Sequence, residues 1–145
     1  MIPPLNKDGR LPRGIHEASW REFEQAFAWN EHRRMLAEGL RQALSALASA
    51  GCARAYVDGS FVTDKTLPND WDGCWDAAGV DPARLDPVLL TFEDSRKGQK
   101  LKFGGEMFVA SWDATGAGET FLSFFQQTRD GEPKGIVAFD LRDFR

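Results

Sequence analysis

The chain predicts a single α/β domain, and three observations carry that prediction. Met35, Leu36, Leu40, Ala43, Leu44 and Leu47 form an apolar stripe at helical spacing, opened by Asn30 as a cap and closed by Gly51. Short β-prone runs follow it: Ala55 to Val57, Gly73 to Trp75, Met107 to Ser111 and Thr120 to Phe125. The length of 145 residues, 42% hydrophobic and 12% aromatic, suits one core. The expectation is a small mixed sheet of those four strands, packed on one face by the Asn30 to Ala50 helix.

Each element has a local cause. Residues 1–18 read as a surface loop, because Pro3-Pro4, Asp8-Gly9, Pro12 and Gly14 interrupt any regular pattern. His16 in this loop reads as a surface or hydrogen-bonded residue. Ser19-Trp20-Arg21-Glu22 is a capping box, opening a short helix to about Phe27. His32-Arg33-Arg34 opens the long helix and reads as solvated surface. Asp81-Pro82 caps a helical turn, and Val88-Leu89-Leu90-Thr91-Phe92 reads as a buried strand. Glu93 to Lys102 is the most basic stretch, holding Arg96, Lys97, Lys100 and Lys102. The strands Met107 to Ser111 and Thr120 to Phe125 read as a hairpin across Ala114 to Gly118. After the turn at Arg129 to Gly135, Ile136 to Leu141 is a last strand or helical turn.

Charge and composition exclude several classes. A net charge of −4 and a pI near 5.2 argue against nonspecific nucleic-acid binding. Cys52 and Cys74 are the only cysteines, with no zinc spacing, so they read as buried thiols. With no apolar span and no leader-like start, the expectation is a cytoplasmic chain that contacts no membrane.

Function concentrates between Ala53 and Asp76. The run Ala55-Tyr56-Val57 ends at Gly59-Ser60, where glycine allows a tight turn and a close approach. Nine residues later comes Asp70-Trp71-Asp72. In a strand the two carboxylates share a face, with Trp71 on the other. Two adjacent aspartates repel unless a cation or proton lies between them. Oxygen ligands beside backbone N–H groups and a hydroxyl are what a magnesium-triphosphate site requires. Lys65, Lys97 and Lys100 are the candidate cations for the phosphates, although a solvated face is the plainer reading of the last two.

This pattern of strand, Gly-Ser, about ten residues and Asp-x-Asp resembles the signature of the DNA polymerase beta-type nucleotidyltransferase superfamily, especially its minimal single-domain members. Phe61-Val62-Thr63 and Lys134-Gly135-Ile136-Val137 also resemble a small bacterial and phage group of such proteins. The resemblance implies that Asp70 and Asp72 hold one or two Mg²⁺ or Mn²⁺ ions, and that Gly59 and Ser60 hold the phosphates of a nucleoside triphosphate. A nucleoside monophosphate would pass to a hydroxyl of a protein, an RNA such as tRNA, or a small molecule. Toxin–antitoxin and phage-defence pairs, with a neighbour-encoded partner protein, are the contexts it suggests.

The resemblance also implies a third carboxylate on a later strand. Strand counting puts it near the middle of Glu119 to Gln126, where Ser123 stands between Leu122 and Phe124. Glu119, Glu106 and Asp58 are the substitutes. If none serves, the alternative is a catalytically degenerate, antitoxin-like binding module of the same fold.

Overall fold

The computed structural model describes residues 1–144. A five-stranded mixed sheet and four helices form one α/β unit. The strands are β1 (Gly14–Glu17), β2 (Arg54–Asp58), β3 (Trp71–Trp75), β4 (Gly105–Val109) and β5 (Gly135–Asp140), in spatial order β1-β5-β2-β3-β4. The β1/β5 and β3/β4 pairs are parallel, and β2 runs antiparallel to both neighbours.

The helices α1 (Trp20–Phe27) and α2 (Glu31–Ser49) cover one face of the sheet. Both begin where the sequence says. Ser19 accepts from the Glu22 N–H while Glu22 reaches back to Ser19, and Asn30 accepts from the Arg33 N–H. Phe23, Phe27, Leu40, Leu44 and Leu47 meet Val57, Trp71, Met107, Val137 and Phe139 in a continuous core. At about 25 cal/mol per Å² of apolar surface buried, this face supplies most of the driving force.

The opposite face carries Tyr56, Cys74, Phe108, Ile136 and Ala138, partly covered by the short helix α4 (Phe121–Phe124) through Phe121, Leu122 and Phe125. Cys52 and Cys74 are both buried, and burial pushes the Cys74 thiol up to about 12. No helix is long and apolar enough to cross a membrane.

Three expectations are corrected, and one that was open is resolved. Thr120 to Phe125 is not a strand: the Thr120 hydroxyl accepts from the Ser123 N–H and turns the segment into α4. The side-chain cap outweighs the β propensity of its phenylalanines. Val88 to Phe92 is not a strand either, because Asp86 and Pro87 open a 3-10 turn over Pro87–Leu90. Residues 1–18 are not all loop, since Gly14–Glu17 pair with β5 as an edge strand. Finally, Ile136 to Leu141 resolves as a strand through Asp140.

The helix α3 (Glu93–Phe103) packs beside β4. Its Asp94, Ser95 and Arg96 have φ of 50°, 56° and 62°, a left-handed run without glycine. Buried Gln99 then ties α3 to β4, donating to the Met107 carbonyl at 3.3 Å and accepting from the Met107 N–H at 2.8 Å.

Candidate functional site

Side-chain alternation puts Asp58, Asp72 and Glu106 on the face away from α1 and α2. The pairing brings them together: Asp72 on β3 is opposite Asp58 on β2 and opposite Glu106 on β4. Asp70 stands one step before β3, two residues from Asp72. Trp71 between them points into the core, fully buried, and its Nε1 donates to the Phe103 carbonyl at 3.1 Å. At the other end of the row, Lys134 Nζ lies 3.0 Å from Asp58 Oδ1. Four neighbouring strand ends thus carry Lys134, Asp58, Asp72 and Glu106 in line.

The electrostatics follow from this crowding. Burial, then the charges of Asp70 and Glu106, push the Asp72 carboxyl up to about 8. Burial and Glu106 also raise Asp70, against the pull of Lys100 and Lys65. Asp58 is raised by burial despite Lys134 and the Gly59 N–H. A carboxyl held protonated near neutrality stores an affinity for any cation that replaces the proton.

The Gly-Ser turn abuts this row. Gly59 has φ 88°, and a Cβ there would lie 2.6 Å from Asp72 Oδ2, so only glycine lets the turn approach the carboxylate. Ser60–Val62 form a 3-10 turn, closed by the Val62 N–H on the Gly59 carbonyl at 3.2 Å and the Thr63 hydroxyl on the Ser60 carbonyl at 2.6 Å.

The segment from Phe61 to Pro68 is held from behind by the start of α2. Arg33 is fully buried and donates five hydrogen bonds, to the carbonyls of Phe27, Phe61, Thr63 and, twice, Lys65. Its guanidinium also lies 5.0 Å from the ring centres of Trp29 and Phe61. Asn30 donates to the Thr66 carbonyl at 2.8 Å and His32 Nε2 to the Pro68 carbonyl at 2.5 Å. One helical turn therefore holds the path from Phe61 to Pro68, between the Gly59-Ser60 turn and Asp70. The expected solvated surface at His32-Arg33 is overturned: both are loop anchors, and the sequence clue to Arg33 was its place on the helix face carrying Leu36, Ala37 and Leu40.

On the far side, Glu106 Oε2 is gripped by Arg96 Nε at 2.8 Å and by Lys100 Nζ at 3.6 Å. Lys102 pairs instead with Asp86, and Lys97 is exposed away from the cleft. Of the proposed cations only Lys65 lines the cleft itself, together with Arg10, Arg129 and Lys134, which the sequence reading did not single out. The cleft is open, holds about 1030 Å³, and runs over Gly59, Ser60, Asp70, Asp72 and Glu106 towards Phe124 and Phe125.

The third carboxylate is likewise corrected. Ser123 lies on α4 and is exposed, its hydroxyl donating to Glu119 at 3.1 Å. Asp72 has an acid on either side, Asp58 on β2 and Glu106 on β4, two of the three substitutes for Ser123, whose expected strand does not form. As a cation site the donor set is hard oxygen, suited to Mg²⁺ or Mn²⁺. Asp70 and Asp72 face each other without a basic partner within ion-pair distance among the described residues. No three His, Cys, Asp or Glu side chains among the described residues close a cage. Two carboxylates, with phosphates and water completing the shell, are the usual protein share of a magnesium site. The residues present fit such an ion.

The family model described as "Family of unknown function (DUF6932)" matches residues 3–140, so the chain belongs to that family. No curated protein and no solved structure matches it.

Proposed function

We propose that this domain is a nucleotidyltransferase-like enzyme. It would use Mg²⁺ or Mn²⁺ to transfer a nucleoside monophosphate from a nucleoside triphosphate to a hydroxyl of a protein, an RNA or a small molecule. The observation that carries the reading is the register of Glu106 with Asp72, because it supplies an acid on the strand next to the Asp70-Trp71-Asp72 motif. The alternative, a catalytically degenerate binding module of the same fold, keeps the motive of small size, since 145 residues leave no separate acceptor-binding domain.

In this reading Asp70 and Asp72 hold the cation. Gly59 and Ser60 approach the β- and γ-phosphates with backbone N–H groups and a hydroxyl, and Lys65 offsets phosphate charge. The bound ion would neutralise the phosphate oxygens and orient the leaving group. The acceptor oxygen attacks the α-phosphorus in line, the bond to the bridging oxygen breaks, and pyrophosphate departs. The acceptor's proton passes to a carboxylate of the row. The anchors Asn30, His32 and Arg33 keep the phosphate turn and the carboxylates at fixed separation, as in-line geometry demands.

Thermal unfolding of the wild type and of Asp70→Ala, with ATP, GTP, CTP or UTP and Mg²⁺ or Mn²⁺, tests the reading. A nucleotide at 100 times its Kd stabilises by about 2.7 kcal/mol, several degrees at this size. A metal-dependent shift confined to the wild type is the expected result. Flat curves with every nucleotide would sink the proposal in favour of a protein-binding role.

A further inference from the structure

We infer that Arg96 and Lys100 take the place of a second metal ion, so that the site holds a single divalent cation on Asp70 and Asp72. This rests on the reading above and deepens it.

The argument is one of charge and of free oxygens. Four carboxylates, Asp58, Asp70, Asp72 and Glu106, meet at one end of the sheet. Two of them already have cations from the chain: Lys134 at 3.0 Å from Asp58, and Arg96 at 2.8 Å with Lys100 at 3.6 Å from Glu106. Asp70 and Asp72 have no cation of the chain within ion-pair distance among the described residues, Asp72 being hydrogen-bonded to Glu106 instead, and one divalent ion balances two carboxylates. A second ion on Glu106 would have to bind beside the oxygen that Arg96 and Lys100 already hold, against their like charge.

The placement of Arg96 is built rather than incidental. Arg96 ends the left-handed run Asp94-Ser95-Arg96, a conformation that residues with a Cβ rarely adopt. Its guanidinium lies 5.5 Å from the centre of the Phe108 ring, on the strand that carries Glu106. Phe108 in turn stacks on Phe92 and Phe121. Lys100 is one turn further along α3, on the segment that Gln99 fastens to β4. The strained turn, the ring and the Gln99 tether all bring positive charge to one oxygen, Glu106 Oε2.

The experiment is a Mn²⁺ titration of the metal-free chain, with free Mn²⁺ read by electron paramagnetic resonance. Wild type should bind one Mn²⁺ per chain, and Asp72→Asn should lose it. Glu106→Gln should keep one ion, because Glu106 is not needed to hold it. Arg96→Gln combined with Lys100→Gln should bind two, and Arg96→Lys should return the count to one, which separates charge from folding. Two ions on the wild type, or loss of the ion in Glu106→Gln, overturns the inference and leaves the metal-site reading standing. No second ion in the double variant also overturns it, provided circular dichroism matches wild type. No Mn²⁺ on any chain overturns the metal-site reading and this inference together.

Discussion

Glu106 lies directly across from Asp72, one residue to one residue, on parallel neighbouring strands. Neither residue is near the other in sequence, and neither would crowd the other if α3 did not return the chain beside β3. The acidity of the site is therefore a property of strand pairing, and it has a measurable signature.

That signature is a stability that falls as pH rises. An acid with a raised folded pKa binds its proton more tightly in the native chain than in the unfolded one. For Asp72 the contribution is intact below its ordinary value of 3.8, declines up to about 8, and is constant above. The slope is at most about 1.4 kcal/mol per pH unit. Urea unfolding in a chelator should find Asp72→Asn more stable than wild type at pH about 8 and equal to it at pH about 4. A pH-independent difference would show that the carboxyl is not held among its neighbours as described.

Arg33→Met should cost about 3 kcal/mol, since the buried carbonyls of Phe27 and Phe61 would lose their donor and the half-buried ones of Thr63 and Lys65 would have to turn to water. Arg33→Lys should recover only part, because an ammonium cannot reach four carbonyls with a planar fork. Chemical denaturation measures both, and a loss under about 1 kcal/mol for Arg33→Met contradicts the anchoring role.

Gly59→Ala separates site from scaffold. The left-handed φ of 88° makes alanine cost about 1–2 kcal/mol, while the new Cβ strikes Asp72 Oδ2. The expected outcome is a folded chain whose nucleotide-dependent rise in melting temperature is gone. If the rise persists unchanged, the turn does not hold phosphate.

The parts legible in advance were those with local causes. The Ser19 and Asn30 caps and the Leu36, Leu40, Ala43, Leu44 and Leu47 stripe of α2 rest on residues close in sequence and lie where the sequence puts them, whereas Met35, expected in the stripe, is exposed. The misses have non-local or competing causes. Phe121-Leu122-Ser123-Phe124 has the composition of a strand, but one Thr120 cap decides otherwise. Gly14–Glu17 becomes a strand only because β5 offers it an edge. Arg33 reads as surface until the carbonyls of a loop some thirty residues away close around it. Of the substitutes Glu119, Glu106 and Asp58, only strand pairing shows that the last two flank Asp72.

The manner in which Arg33, Asn30 and His32 grip the 61–68 segment bears on how this family can diversify. They read main-chain oxygens, which every amino acid supplies, so exposed positions such as Thr66 and Leu67 are free to drift while the path of the chain is kept. Length is another matter. Adding or deleting a single residue would move each carbonyl off its donor in turn, so relatives should differ here in spelling but not in number of letters.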